Sequence, residues 1–166
     1  MLKSAWQLLG DYLKDTQLLG SIQSTLYWDQ NTSMPIAGST WRGEQLSLLA
    51  KQLHARQSCE QFEILIKEAK AELQDLKEKD DLESQLITDR FKNIELLEQD
   101  FNRQKKIDPK LVVELATAKS EGYMCWQEAR NNNDFKSFSP ALNKLILLRK
   151  EQSNQLCEER SCWETL

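Results

Sequence analysis

Leu2, Ala5, Leu9, Tyr12, Leu19, Ile22 and Leu26 recur at spacings of three, four or seven, the period at which side chains stack on one face of an α-helix. A stripe that long specifies one helix of about seven turns. Such a helix cannot cover its own apolar face, so it needs other helices against it. With five glycines and three prolines in 166 residues, few positions break a helix, and no strand-like alternation interrupts the pattern. The expected class is all-α: a bundle of about six mostly antiparallel helices, with residues 1–166 forming a single helical domain.

The first helix is expected to end near Gln30, in a loop from Asn31 to Gly38 that carries Met34-Pro35. A second helix follows the small residues Gly38-Ser39-Thr40, with Trp41, Gln45, Leu48, Leu49 and Leu53 facing inward. Ser58 and Gln61 form a capping-box pair opening a third, which buries Phe62, Leu65, Ile66, Ala69, Leu73 and Leu76. Asp80 with Glu83 marks the fourth, burying Leu82, Leu86, Ile94, Leu97 and Phe101 and ending in the basic run at 103–106. Asp108-Pro109 reads as N-cap plus first-position proline of the fifth. Its register holds Leu111, Leu115, Ala118, Gly122, Cys125, Trp126 and Ala129, and it stops in Asn131-Asn132-Asn133-Asp134. Ser139-Pro140 repeats the cap signal for a sixth helix carrying Leu142, Leu145, Ile146, Leu148 and Leu156.

The net charge is −4, with acids and bases interspersed, so no electropositive surface is offered to nucleic acid. No signal peptide or membrane-length apolar run is present, and a soluble, cytoplasmic protein is expected. Cys59, Cys125, Cys157 and Cys162 include no C-x-x-C pair and read as reduced structural thiols, not as a disulfide framework or zinc knuckle. His54 is the only histidine. It can form neither a zinc pair nor a relay, and reads as a capped or solvated side chain. A nucleophile–base pair of Cys59 and His54 is disfavoured because a helix break separates them. No metal site and no catalytic residue are expected in this chain.

The stretch TLYWDQNTSMP at 25–35 poses a local problem. An aspartate in a last helical turn meets the negative end of the helix dipole and needs a cation. For Asp29 the favoured answer is an ion pair with Arg42, reached once the second helix folds back, with Trp28 packed nearby. The alternative is an acid facing a groove. For Trp28 and Met34, packing at the junction is favoured over substrate contact, and Phe135 and Phe138 are weighed the same way.

Two separated motifs, in order, resemble the carboxypeptidase Taq family of zinc metallocarboxypeptidases. The first comprises Trp28, Asp29, Gln30, Met34, Pro35, then Arg42, Gln45 and His54; the second comprises Trp126, Ala129, Arg130, then Asn133, Asp134, Phe135, Phe138 and Pro140. The resemblance runs from Leu19 to Gln152. It implies a mostly helical fold around a deep groove, with the N-terminal helices as wall or lid, zinc at the floor and peptides as substrate. The family's H-E-x-x-H helix and downstream glutamate have no counterpart in this sequence. The expectation is therefore the front piece of a longer enzyme, inactive alone and without zinc of its own, with a homo-oligomer covering apolar surface. The competing reading is a stand-alone helical interaction module, and the nucleotide sequence beyond codon 166 separates the two.

Overall fold

The computed structural model describes residues 2–78, 84–156 and 160–166. Asp80, Leu82, Glu83 and Cys157 lie outside the described residues. The fold is all-α: α1 (Ala5–Thr32), α2 (Ser39–Ser58), α3 (Glu60–Glu78), α4 (Ser84–Lys106), α5 (Pro109–Asn132), α6 (Phe135–Leu156) and α7 (Cys162–Thr165), with a 3-10 turn at Ile36–Gly38. The chain forms two compact units, Met1–Leu18 with Ala55–Lys105, and Leu19–His54 with Lys106–Leu166.

The first unit is built from the start of α1, the end of α2, α3 and α4. α3 buries Phe62, Ile66, Ala69 and Leu73 on one face, as its periodicity requires, and α4 buries Ile87, Ile94 and Phe101 at steps of seven. With Leu9 these residues form one core, each large side chain contributing about 1.5–3 kcal/mol by leaving water. α1 runs antiparallel to α3: Trp6 N–H donates to Glu72 at 3.0 Å, and the Tyr12 ring stacks on Phe62 with centroids 5.3 Å apart. α3 and α4 are likewise antiparallel, pairing Lys70 with Glu98 and Glu63 with Lys105.

In the second unit, α5 and α6 lie antiparallel. The backbone N–H of Asp108 meets Gln155 Oε1 at one end, and a Cβ placed on Gly122 would meet Leu145 Cδ1 at 3.1 Å toward the other. Ile107, Leu111, Leu115 and Leu156 form this unit's apolar cluster. α2 approaches α5 closely through Gly43, where an added Cβ would lie 3.6 Å from Ser120 Oγ, and Ser47 and Thr117 join their hydroxyls at 2.8 Å.

Several expectations are corrected. α1 continues two residues past Gln30. On α2, Trp41 and Leu48 are exposed while Leu46 and His54 are buried. Leucines occur all around this helix, so apolar spacing could not choose a face; the small residues Gly43 and Ser47 choose it by permitting close approach. Leu2 lies before α1 and is exposed; on α1 Ile22 is exposed too, and the inward line ends on Gln30 instead. The first turn of α3 hangs on Cys59, whose carbonyl accepts from Phe62 and Glu63, one residue later than the Ser58 signal. Leu86 yields its buried place to Ile87, and Cys125, Trp126 and Ile146 face outward. α6 begins at Phe135, leaving Pro140 inside the helix. The Asp108 cap holds, its carboxylate accepting from the Lys110 N–H with Pro109 next. α7 is an addition to the expected helices; Ser161 and Glu164 cap it reciprocally.

Candidate functional site

The corner between α1 and α2 is built around one guanidinium. As α1 ends, the Asp29 carbonyl accepts from the backbone N–H of Ser33 at 3.0 Å and Met34 at 2.9 Å. Pro35 then receives the Gly38 N–H at 2.9 Å, and the Ile36–Gly38 turn passes the chain into α2 at Ser39. This brings Arg42 back beside the last turns of α1. Its Nη2 lies 2.6 Å from Asp29 Oδ2, its Nη1 donates to the Leu26 carbonyl, and its Nε donates to Gln45 Oε1 at 3.0 Å. One cation thus answers both the carboxylate and a carbonyl near the negative end of the helix. The Arg42 side chain is only 11% exposed and that of Asp29 37%.

The remaining motif residues divide by position. Gln30 is buried and reaches α5, where Nε2 donates to Ser120 Oγ at 3.2 Å; its Oε1 has no hydrogen-bond partner among the described residues. Met34 is half-buried against Gly38, where an added Cβ would meet its Cγ at 3.5 Å. Trp28, expected to pack at the corner, is 65% exposed, and Trp41 is 68% exposed. Both lie outside the inward line of their helices, so neither closes the corner. His54 is buried, not solvated, on the Leu46 face of α2.

The second motif gathers around the α5–α6 junction. Trp126, Ala129, Arg130, Asn133, Phe135 and Phe138 line a cleft of about 330 Å3. The Phe135 and Phe138 rings meet edge to face at 6.3 Å. Phe135 is exposed and Phe138 half-buried, so the packing expected of both holds for one. Asn133 adopts the left-handed conformation, φ 52°, which Asn tolerates better than most residues and which reverses the chain at a helix end.

Sequence reasoning did not find Ser120 or the cleft of about 490 Å3 beside it, between α2 and α5, lined by Ser39, Gly43, Ser47, Thr117 and Glu121 among others. The available signal was the small-residue content of both helices, which marks close backbone approach but no chemistry. Among the described residues no group of three His, Cys, Asp or Glu comes together in a way that could hold a metal ion. These residues offer positioning through hydrogen bonds and ion pairs, not a nucleophile with its base.

The model of the carboxypeptidase Taq (M32) metallopeptidase family matches residues 8–166. The chain belongs to that family. The thermostable carboxypeptidase 1 of Thermus thermophilus is 30% identical over 154 residues, 93% of this chain and 29% of that protein. Carboxypeptidase 1 of Bacillus subtilis is 28% identical over 140 residues, 84% of this chain and 26% of that one. Among solved structures, BsuCP superposes with a TM-score of 0.82 at 26% identity, covering 98% of this chain and 31% of that chain. The M32 carboxypeptidase of Deinococcus radiodurans gives 0.61 at 27% identity, over 91% and 28%. The chain therefore spans less than a third of these M32 relatives. Members are metallopeptidases by the family's description, yet the described residues of this chain do not fit a metal. No helix among them is long and apolar enough to cross a membrane.

Proposed function

We propose that this chain acts as the N-terminal helical region, groove wall or lid, of a zinc metallocarboxypeptidase that removes C-terminal residues from peptides. The supporting observation is the corner held by Asp29, Arg42 and Gln45, in a chain whose family match covers residues 8–166. Arg42 fixes where α2 leaves α1, and a fixed corner keeps a wall in place when substrate fills the groove. The metal supplies its chemistry from residues outside this chain; the residues described here shape and exclude. On this reading the whole chain works as one helical domain in the cytoplasm and is inert alone.

Trp28, Trp41 and Phe135 stand exposed. They equally suit a stand-alone interaction module, and covering them by self-association is part of the proposal. The test is a chimera in which this chain replaces the matching segment of the Bacillus subtilis relative. The chimera is expected to release C-terminal residues from peptides while this chain alone releases none and takes up no stoichiometric zinc. Peptide hydrolysis by the chain alone, or a folded, metal-loaded chimera without activity, would count against the proposal.

A further inference from the structure

α5, α6 and α7 border an open groove of about 740 Å3, within the roughly 300–1,000 Å3 range of small-molecule sites. Leu145 and Ile146 line it together with Trp163 and Leu166, and Lys119, Arg149 and Lys150 add three cations. Elsewhere carboxylates answer several of the chain's lysines, Glu63 pairing with Lys67, Glu98 with Lys70 and Glu121 with Lys144. Here no carboxylate among the described residues does so, and Arg149 Nη1 donates to the amide oxygen of Gln152. In a chain of net charge −4, three cations that no described carboxylate answers thus line one largely apolar groove, a combination that suits an anionic ligand. Desolvation, and secondarily Arg149, lower the Lys119 pKa; an anion placed between these cations would relieve that strain.

We propose that this groove binds an amphiphilic carboxylate, a carboxyl group on an unbranched aliphatic chain, with its head among Lys119, Arg149 and Lys150 and its tail along Leu145, Ile146 and Trp163. The site lies outside the peptide chemistry proposed above. An acidic peptide fits less well, because its backbone N–H and C=O groups need partners that Leu145 and Ile146 do not offer. An aliphatic tail needs none.

The experiment titrates dodecanoate, below its micellar concentration, into the full chain and follows tryptophan fluorescence, with circular dichroism confirming that each variant is folded. Trp163 is 91% exposed, so its burial gives a blue shift. A saturable one-to-one shift is expected, absent in Trp163→Phe, with no response to dodecylammonium. The Lys119→Gln, Lys150→Gln double variant should bind about tenfold or more weakly, through loss of charge-assisted hydrogen bonds. Both lysines are exposed, so this variant should fold; Ile146→Asp, on the apolar lining, should weaken binding as well. The proposal is overturned by no saturable shift, by equal binding of dodecylammonium, by an unchanged double variant, or by a capped acidic peptide binding where dodecanoate does not.

Discussion

Arg42 Nη2 stands 2.6 Å from Asp29 Oδ2 while the same guanidinium reaches the Leu26 carbonyl and Gln45 Oε1, so one side chain engages three acceptors, two of them across the α1–α2 corner. Arg42→Met should lower unfolding free energy by about 2 kcal/mol, since hydrogen bonds to charged groups are lost and acceptors are left unmet. Arg42→Lys should recover only part of this, because an ammonium cannot span the fork. Urea midpoints of both variants, with Asp29→Asn closing a double-mutant cycle, measure the coupling. A coupling energy near zero would mean that the pair does not hold the corner.

Gly10 lies in the interior of α1, and a Cβ added there meets nothing within 4 Å. Gly10→Ala should therefore raise stability by about 0.5–1 kcal/mol, chiefly by restricting the unfolded chain. A rise in melting temperature is the expected outcome. Gly122 offers the contrast: Leu145 Cδ1 would be 3.1 Å from the new atom, so Gly122→Ala should gain less than Gly10→Ala.

Tyr12 donates to the Arg56 carbonyl at 2.8 Å and meets Cys59 Sγ at 3.3 Å, with the Arg56 guanidinium over its ring. Burial, then the contact with Cys59, push its hydroxyl up to about 12 against the nearby arginine. A pKa higher in the folded state means the folded chain holds the proton after the unfolded chain has released it. The resulting stability is present below pH 10 and is lost as pH rises from there to about 12. Denaturant midpoints across that window should fall less steeply in Tyr12→Phe, which keeps the ring stack and removes the titrating group.

How much of this was legible in the sequence depended on what chose each helix face. Where apolar residues alone decided, as for Phe62, Ile66, Ala69 and Leu73 on α3, spacing sufficed. Where a polar residue or a glycine decided, it did not. Gln30 continues the buried line of α1, and Gly43 sets the approach of α2 to α5; neither is visible to a hydrophobic count. The Asp29–Arg42 pair was readable because an acid at a helix C-terminus poses an electrostatic problem with one nearby solution. Trp28 and Trp41 were misplaced inward because large aromatics in a small domain normally bury.

The start of α6 gives the sharpest local test, because the sequence carries two competing signals. Ser139-Pro140 resembles a cap with a first-position proline, yet α6 begins at Phe135, four residues before Ser139. The Asp134 carboxylate accepts from the Ser137 N–H at 3.3 Å, and its carbonyl accepts from the Ser137 hydroxyl at 2.8 Å. The left-handed Asn133 ends α5 immediately before it, so the reversal is complete and the next helix starts at once. The cost falls on Pro140, which has no N–H to offer the carbonyl of Lys136 one turn earlier. Asp134→Ala should therefore destabilise by about 1 kcal/mol, the usual loss of a cap, while Ser139→Ala should be near neutral. Pro140→Ala should stabilise by roughly 1 kcal/mol or more, restoring that backbone bond. Urea titrations of the three variants check this, and the opposite order, Ser139→Ala costly and Asp134→Ala silent, would place the start of α6 at the proline.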